Sequence, residues 1–243
     1  MSLRYGEARV ALERTWEGRH LTKDRLPDGR RVIVASGTLP ASAPVIDTSW
    51  LKAAATCFDI SPDINDYVLN EVPACTADIP NRNYDAHPMA EMLAYRPYLG
   101  RIAYQTFIGS GTFSNHESKE PLKAKGVIFD SHMSKDDHGY YHAYVVCGWC
   151  RQKDPKLAQR ILEHKDAGYS MACLIEGARC SRCGYLSQGN VTCKHINGGA
   201  GKGRIIEGKL VYENLAGLNY VELSHVEDRA DVDSLQRWSS PMV

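Results

Sequence analysis

The sequence has no excess of charge of either sign, since 29 Lys and Arg residues balance 29 Asp and Glu residues. This balance argues against a protein that holds nucleic acid by bulk electrostatic attraction. No apolar run approaches the roughly 18 residues that a transmembrane helix needs, so we expect no membrane span. Residues 1–7 also lack the apolar stretch of a signal peptide, and we therefore expect a protein of the reducing cytosol.

Three motifs that would assign a reaction directly are missing as well. The glycine-rich stretch 196–203 lacks the G-x4-G-K-[ST] arrangement of a phosphate-binding loop, so we interpret it as a connector. No G-x-S-x-G is present, which argues against an α/β-hydrolase. The H-E-x-x-H motif of zinc metalloproteases is absent too, because His116-Glu117 is not followed by a second histidine at the required spacing.

The composition is that of an ordinary soluble globular protein. Hydrophobic residues make up 43% of the 243 residues and charged residues 24%, so the chain can bury a substantial core in one large domain or two small ones. Eight cysteines in a reducing compartment favour metal or redox chemistry over a disulfide framework. Cys57 and Cys75 stand alone, and each is predicted to be a small buried apolar residue.

Four soft ligands are concentrated in the pattern Cys180-x2-Cys183-x9-Cys193-x-His195. Together they can surround one tetrahedral Zn²⁺, and the x2 spacing lets one tight turn present two thiolates. A closed Cys3His site has no open coordination position, so we expect a structural zinc ion and not a catalytic one. Free or disulfide-paired thiols are the alternative interpretation.

Cys147 and Cys150 form a separate C-x-x-C pair. A thioredoxin-like redox motif should begin a helix after a strand, where the helix N-terminus lowers the thiol pKa. Here the pair leads into the charged stretch 151–154 before a proline. We therefore favour two strand-end thiols or auxiliary metal ligands, with redox catalysis as the remaining alternative.

Apolar patterns and turn signals predict many short strands and few helices. The predicted strands cover residues 31–35, 102–108, 125–130, 140–146, 169–175, 209–212 and 220–226, and short strands fit the rest of the first 55 residues or so. The predicted helices cover residues 88–95 and 155–163, and residues 134–139 have the composition of a hairpin turn. This pattern predicts a mostly β, single-core α+β domain with a cysteine-rich insertion.

Three places combine a reactive side chain with an unusual local sequence. His116 follows a glycine-rich turn after a strand, where it could act as a general base, although a surface loop histidine or a zinc ligand is also possible. Ser170 follows Gly168-Tyr169 at the start of a strand, where a nucleophile could be exposed, although most such serines are ordinary turn residues. In the third place, alternation puts Glu222 and Ser224 on one strand face and Leu223 and His225 on the other. Together they suggest a nucleophile, a base and an orienting group.

An ordered set of segments between about residues 80 and 235 resembles the prohead (head maturation) proteases of tailed bacteriophages. The resemblance is closest to the branch that carries a cysteine-rich insert after the nucleophile. The matching segments, in the order of the family, are residues 114–117, 124–130, 151–158, 168–173, 180–184, 193–196 and 220–231. The chain differs where Met171-Ala172 follows Ser170, since many of these proteases have a Ser-Arg-Gly type sequence there, and where Arg229 replaces a usual proline.

The resemblance implies the β-barrel fold of the herpesvirus assembly proteases and serine protease activity inside the immature capsid. Such enzymes cut scaffold proteins, capsid-protein propeptides and themselves. By this resemblance His116 is the base, Ser170 the nucleophile and Glu222 the acid, with His225 and Asp130 as competitors for the third place.

The resemblance also implies a domain organisation and partners. Residues 1–79 would be an N-terminal segment packed on or extending the core, residues 80–235 a β-barrel-like protease domain with its cysteine-rich insertion at 173–203, and residues 236–243 a tail. The expected partners are scaffold and major capsid proteins, together with further copies of this chain, in the host cytoplasm and inside the prohead or virion. Neither a membrane nor nucleic acid is an expected partner.

Two other functions remain open at this level. The chain could be a catalytically silent virion protein, a capsid or neck component that keeps the fold and the metal site. A zinc-dependent nucleic-acid module is a weaker alternative, because the basic residues near the cysteines have few aromatic neighbours to stack on bases. These basic residues are Arg179, Arg182, Lys194, Lys202 and Arg204.

Overall fold

A computed structural model describes residues 21–25, 31–35, 49–163, 168–189, 191–197, 201–226, 230–231 and 238–241. Its helices are α1 (Ser49–Phe58), α2 (Met89–Met92) and α3 (Pro155–Leu162). The first strands are β1 (Leu21–Arg25), β2 (Arg31–Ala35), β3 (Tyr67–Thr76), β4 (Asp85–Ala86), β5 (Tyr95–Arg96), β6 (Arg101–Ile102), β7 (Gly111–Ser114), β8 (Gly126–Lys135) and β9 (Tyr141–Cys150). The remaining strands are β10 (Tyr169–Leu174), β11 (Gly177–Cys180), β12 (Leu186–Ser187), β13 (Ile205–Ile206), β14 (Lys209–Leu210), β15 (Glu213–Ala216), β16 (Asn219–His225) and β17 (Trp238–Pro241).

The main sheet has seven strands in the order β10-β16-β7-β8-β9-β3-β17. Every neighbouring pair is antiparallel except β16 and β7, which run parallel. The sheet curls into a half-barrel, and strands far outnumber the three short helices. The predicted mostly β, α+β fold with a barrel-like core is therefore confirmed.

The long hairpin of β8 and β9 forms the centre of this sheet, and the predicted turn between them is confirmed. The Asp136 carboxylate accepts the backbone N–H groups of His138 at 3.0 Å and Tyr140 at 2.8 Å, so one side chain closes the turn. Gly139 takes a left-handed φ of 88°, which an L-residue adopts only with strain. The turn thus fixes the register of the two longest paired strands.

A buried asparagine holds the curl of the sheet. Four strands separate β3 from β10, so in a flat sheet these two would lie roughly 24 Å apart. Instead, the Asn70 amide on β3 donates to the Tyr169 hydroxyl on β10 at 2.9 Å and accepts the Trp149 indole N–H at 2.7 Å. Since Ser170 follows Tyr169, this contact also fixes the strand that carries the predicted nucleophile.

The C-x-x-C pair lies on β9, where residues three apart point to opposite faces of the sheet. Cys147 is buried in the larger apolar cluster, which also contains Tyr169 and Leu223, whereas Cys150 is buried in a second cluster beneath α1. Burial also raises the pKa of the Cys147 thiol well above its ordinary value. The two sulfur atoms therefore cannot pair or share a metal ion, and we interpret both as packing residues.

Two predicted elements are wrong. The expected strand over 102–108 is instead a 3-10 turn, Ala103–Phe107, whose residues are all buried. A short, fully buried apolar run has no period that separates strand from helix, and the bond from the Thr106 hydroxyl to the Ala103 carbonyl favours the turn. Helix α1 occupies the end of a region expected to hold strands, although its apolar residues follow a helical stripe, namely Trp50, Leu51, Ala54 and Ala55.

Smaller differences concern helix length and cysteine burial. The helix expected at 88–95 contains one α-helical turn, α2, and α3 matches its predicted span to within one residue. Cys75 is buried as predicted, but Cys57 is exposed on α1. The predicted domain boundaries at residues 80 and 235 stay a prediction. In the main sheet, β3 comes from the predicted N-terminal segment, and β17, from the predicted tail, pairs with it.

Between β10 and β16, where the cysteine-rich insertion is predicted, β11, β12 and β15 form a small second sheet with β4, in the order β12-β11-β15-β4. Its β15 pairs in parallel with β4, which belongs to a much earlier part of the chain. A short hairpin of β13 and β14 lies in the same part of the chain. We call the described residues from β11 to β15 the inserted unit. The insertion is therefore anchored to the segment before α2, and this anchoring matters for the cleft described below.

Membrane-spanning character is not found among the helices that the structure describes, because each of them is too short or too polar to cross a bilayer.

We expect Asn70→Ala to lower the free energy of unfolding by about 2–3 kcal/mol, since the buried Trp149 N–H loses its acceptor and the β3–β10 contact is lost. Urea unfolding followed by tryptophan fluorescence measures this change. The exposed Asn65→Ala serves as control and should change stability by less than about 0.5 kcal/mol. Equal effects of the two variants would contradict the role assigned to Asn70.

Candidate active site and metal cluster

His116 lies on a turn that is fastened to β16. After β7 ends at Ser114, both Asn115 and His116 take left-handed φ angles, 50° and 59°, which are strained for residues with a side chain. The Asn115 N–H donates to the His225 carbonyl at 3.0 Å, and the His116 N–H donates to the Ser224 hydroxyl at 3.1 Å. These two bonds offset the strain and fix the direction of the His116 ring.

Glu222 is the buried acid of the site. Its carboxylate has no solvent exposure, and its Oε1 lies 2.5 Å from His116 Nδ1. Its Oε2 accepts the Ser224 hydroxyl at 2.6 Å, so one carboxylate orients both the histidine ring and the serine that supports the histidine backbone. The hydrogen bond to Glu222 raises the pKa of His116 above its ordinary value of 6.5, although partial burial of the ring opposes this.

Ser170 lies on the same face of the sheet as Glu222. In the antiparallel pair of β10 and β16, Ser170 faces Ser224 and Ala172 faces Glu222, without a shift of register between them. Directly paired residues point their side chains to the same face, with Cβ atoms roughly 5 Å apart. Ser170 and His116 also line one cleft of about 190 Å³, and Ser170 is 8% exposed.

The three predicted catalytic residues therefore come together although they lie on three separate strands or turns. Because His116 Nδ1 contacts Glu222, its Nε2 is the nitrogen left to exchange a proton with a group in the cleft. The ring is 43% exposed, so this nitrogen can meet a ligand. A carboxylate, a histidine and a serine in this order form the arrangement that activates a serine nucleophile.

The two competitors for the third place have other surroundings. His225 points to the opposite face of β16 and packs edge-on against the Tyr169 ring, with ring centroids 5.8 Å apart. Asp130 lies on β8, where its carboxylate accepts the N–H of Ser131 at 2.8 Å. Glu222 is thus the acid that contacts the His116 ring.

The cleft has a second wall that the sequence did not indicate. It comes from the segment 77–87, which includes β4, and we call this segment the cleft wall. The cleft wall lines the cleft with Asn81, Asn83, Asp85 and His87. His87 is 2% exposed, its Nδ1 lies 3.2 Å from the Tyr220 hydroxyl, and burial lowers its pKa to about 4, so it is neutral near pH 7. Residues near 80 have the composition of a turn, but the approach of this segment to Ser170 depends on the long-range pairing of β4 with β15.

The predicted metal ligands form a compact group, which we call the metal cluster. The ligand atoms of Cys180, Cys183, Cys193 and His195 all lie within 4.8 Å of one another, so these side chains could hold one metal ion. The tight turn after β11 is closed by the Gly184 N–H, which donates to the Cys180 carbonyl at 2.9 Å. This cluster is compatible with zinc, whose structural sites use the same ligand types.

Backbone amides prepare one thiol of the cluster for metal binding. Although burial opposes it, the N–H groups of His195 and Ile196 lower the pKa of the Cys193 thiol. Burial raises the pKa of the Cys180 thiol. Metal ligation requires the thiolate form of cysteine, so a positive ion would stabilise the form that the cluster needs.

Two of the five basic residues near the cluster are paired with carboxylates. Arg182 pairs with Glu207, and Lys202 pairs with both Asp85 and Glu213. These ion pairs remove two of the five basic residues on which a nucleic-acid module would depend. The weaker alternative of nucleic-acid binding therefore gains no support from the geometry.

Comparison of the chain with protein-family models, with curated proteins and with solved structures finds no match.

Replacing Glu222 by Gln should lower the pKa of His116, because the amide keeps the size of the side chain but not its negative charge. NMR titration of the His116 ring measures this pKa, which we expect above 6.5 in the unchanged protein. Glu120→Gln, which removes an exposed carboxylate paired with Lys123, is the control and should leave the His116 titration unchanged. An unchanged His116 pKa in Glu222→Gln would contradict the contact.

Proposed function

We propose that this chain is a serine endopeptidase of the prohead maturation type. The observation that carries the proposal is that Ser170 and His116 line one cleft, with the buried Glu222 carboxylate on His116 Nδ1. The resemblance of the ordered sequence segments adds the class of substrate, namely scaffold proteins and capsid-protein propeptides.

In this reaction His116 Nε2 takes the proton from the Ser170 hydroxyl as Oγ attacks the scissile peptide carbonyl. The negative charge that develops on the carbonyl oxygen is stabilised by backbone N–H groups that follow Ser170. His116 then gives its proton to the leaving amine, and the C–N bond breaks to leave an acyl ester on Ser170. Water, deprotonated by the same histidine, attacks this ester, and the C–O bond to Ser170 breaks as His116 returns the proton to Ser170 Oγ. The new carboxyl terminus of the cut peptide then leaves.

Glu222 contributes by orienting the ring and by stabilising the imidazolium that forms during each proton transfer. Its complete burial makes this effect strong, because solvent does not screen the interaction between carboxylate and imidazolium. The raised pKa of His116 means that the neutral, basic form disappears at a higher pH than for an ordinary histidine. As the pH is lowered, activity should therefore begin to fall while the pH is still above 6.5.

The proposed setting is an immature phage head in the host cytoplasm, where copies of this chain would meet scaffold and major capsid proteins. A small cleft of about 190 Å³ fits the side chains around one scissile bond and not a folded domain. Flexible propeptides and scaffold segments can enter such a cleft in extended form.

We also propose that the ion held by the metal cluster is Zn²⁺. Three thiolates and one imidazole satisfy its tetrahedral preference, and they leave no open position for substrate or water. The ion would then supply folding free energy to the inserted unit, where the apolar cluster beside the ligands has three buried members among the described residues, Cys180, Ile196 and Val211.

Replacing Ser170 by Ala should abolish covalent labelling by a fluorophosphonate and lower peptide cleavage by roughly 10⁴-fold or more, since Ser170 Oγ is the atom that attacks. Mass spectrometry locates the label, and a proteome-derived peptide library reports cleavage. Ser134→Ala, in a residue of β8 outside the cleft, is the matched control and should keep both activities. Absence of any Ser170 labelling in the unchanged protein would support the catalytically silent virion protein instead.

The zinc proposal predicts one zinc ion per chain by atomic emission spectroscopy after purification without chelator. Cys183→Ser should lose this ion, because removal of one of four ligands weakens a tetrahedral site strongly. The exposed Cys57→Ser is the control and should retain it. Equal metal content in both variants, or none in the unchanged protein, would overturn the proposal.

A further inference from the structure

Lys202 joins the inserted unit to the cleft wall. Its ammonium group lies 2.5 Å from Asp85 Oδ1 and 2.9 Å from Glu213 Oε2, and its side chain is only 17% exposed. Asp85 and Glu213 are direct partners in the parallel pair of β4 and β15, so without a cation their carboxylates would repel each other. The lysine therefore holds these two strands together by charge as well as by hydrogen bonds.

One end of this connection reaches the cleft. Asp85 lines the same cleft as Ser170, and the Tyr84 carbonyl before it accepts the Glu213 N–H at 3.0 Å. On the side of the main sheet, the cleft wall is held through His87 and Tyr220. The shape of the cleft thus depends on contacts from two units, of which only the main sheet carries the three catalytic residues.

The other end of the connection reaches the metal cluster. Gly201, directly before Lys202, donates its N–H to the Ile196 carbonyl at 3.3 Å. A Cβ atom on Gly201 would lie 1.6 Å from the His195 carbonyl oxygen, so the two backbones touch and only glycine fits. His195 is therefore one anchor of the backbone that carries Lys202, and the Gly203 N–H, which donates to the Val211 carbonyl at 2.8 Å, is another.

Among the described residues, few apolar contacts join the two segments that carry the metal ligands. The ligands come from two segments, one with Cys180 and Cys183 and the other with Cys193 and His195. Beyond the ion, these segments share the small apolar cluster around Ile196 and Val211. A core of this size contributes little free energy, so the ion would be the main cross-link between the segments.

We propose that Lys202 is a positioning residue that couples metal occupancy of the cluster to the shape of the substrate cleft. This inference rests on the proposed peptidase function for its effect on catalysis. Metal loss releases Lys202, the carboxylates of Asp85 and Glu213 separate, and the cleft wall moves away from Ser170. The catalytic residues keep their geometry, because β7, β10 and β16 hold them independently of the inserted unit.

We therefore expect metal loss to weaken substrate binding and to leave the reactivity of Ser170 unchanged. Binding of an extended peptide needs the cleft wall, whereas a small fluorophosphonate needs only Ser170 with its base. Metal removal should raise KM for a peptide and leave both kcat and the rate of Ser170 phosphonylation nearly unchanged. A merely structural role for Lys202 would instead lower apparent kcat and the phosphonylation rate together, through loss of folded protein, and would leave KM unchanged.

The test uses the full chain in four forms: zinc-loaded, zinc-depleted by chelator, Lys202→Met and Lys202→Arg. Lys209→Met, in an exposed residue of the same unit, is the matched control. The measurements are amide hydrogen exchange of residues 77–87, the rate of Ser170 phosphonylation, and KM for one peptide that the unchanged protein cleaves in a proteome-derived library.

Zinc depletion and Lys202→Met should each speed exchange at the amides of the cleft wall by about tenfold and raise KM about fivefold or more. The control Lys209→Met should behave as the unchanged protein, and Lys202→Arg should stay within about threefold of it because the charge is kept. Phosphonylation should vary by less than about twofold across all forms.

The inference is overturned if exchange in residues 77–87 stays unchanged while zinc removal speeds exchange near Gly184 and Asn197. Equal loss of phosphonylation and of peptide cleavage would also overturn it. Failure of the proposed function gives a different result, namely no phosphonylation of Ser170 in any form. Even then, the exchange measurement decides whether Lys202 couples the cluster to the cleft wall.

Discussion

The site depends on one buried carboxylate that is shared by two partners. Glu222 has no access to solvent, so its charge must be satisfied by His116 and Ser224, and each of its oxygens contacts one of them. The Ser224 hydroxyl oxygen in turn accepts the backbone N–H of His116, which closes a ring of hydrogen bonds among three residues at the end of β7. Asn115 and His116 keep their strained backbone conformation because hydrogen bonds from both of their N–H groups hold the turn against β16. Every other feature of the candidate active site is arranged around this fixed imidazole.

The curl of the main sheet supplies the second requirement. Asn70 links β3 to β10 across the half-barrel and thereby fixes Tyr169, the residue next to Ser170. The register of β10 against β16 then puts Ser170 on the same sheet face as Glu222. Long-range strand pairing, and not local sequence, therefore produces the distances on which the proposed chemistry depends.

Part of this could be predicted from the sequence because it is local. Alternation along 220–226 assigned Glu222 and Ser224 to one face, and the spacing of the cysteines indicated their convergence with His195, which the metal cluster confirms. The cleft wall could not be predicted, since β4 has two residues and meets β15 from more than a hundred positions away. The strand predicted over 102–108 is wrong for a related reason, because a fully buried run takes its conformation from the neighbours that cover it.

The inserted unit gives the cysteines a role that the balanced charge and ordinary composition did not suggest. In the proposed account, Cys180, Cys183 and Cys193 support one wall of the cleft, while Ser170 and His116 belong to the main sheet. The most direct test of the central claim is a crystal structure of the chain after fluorophosphonate treatment. The account predicts a phosphonyl group on Ser170 Oγ with His116 Nε2 within about 3 Å of that oxygen. A label on another residue, or a His116 ring more than about 5 Å from Ser170 Oγ, would contradict it.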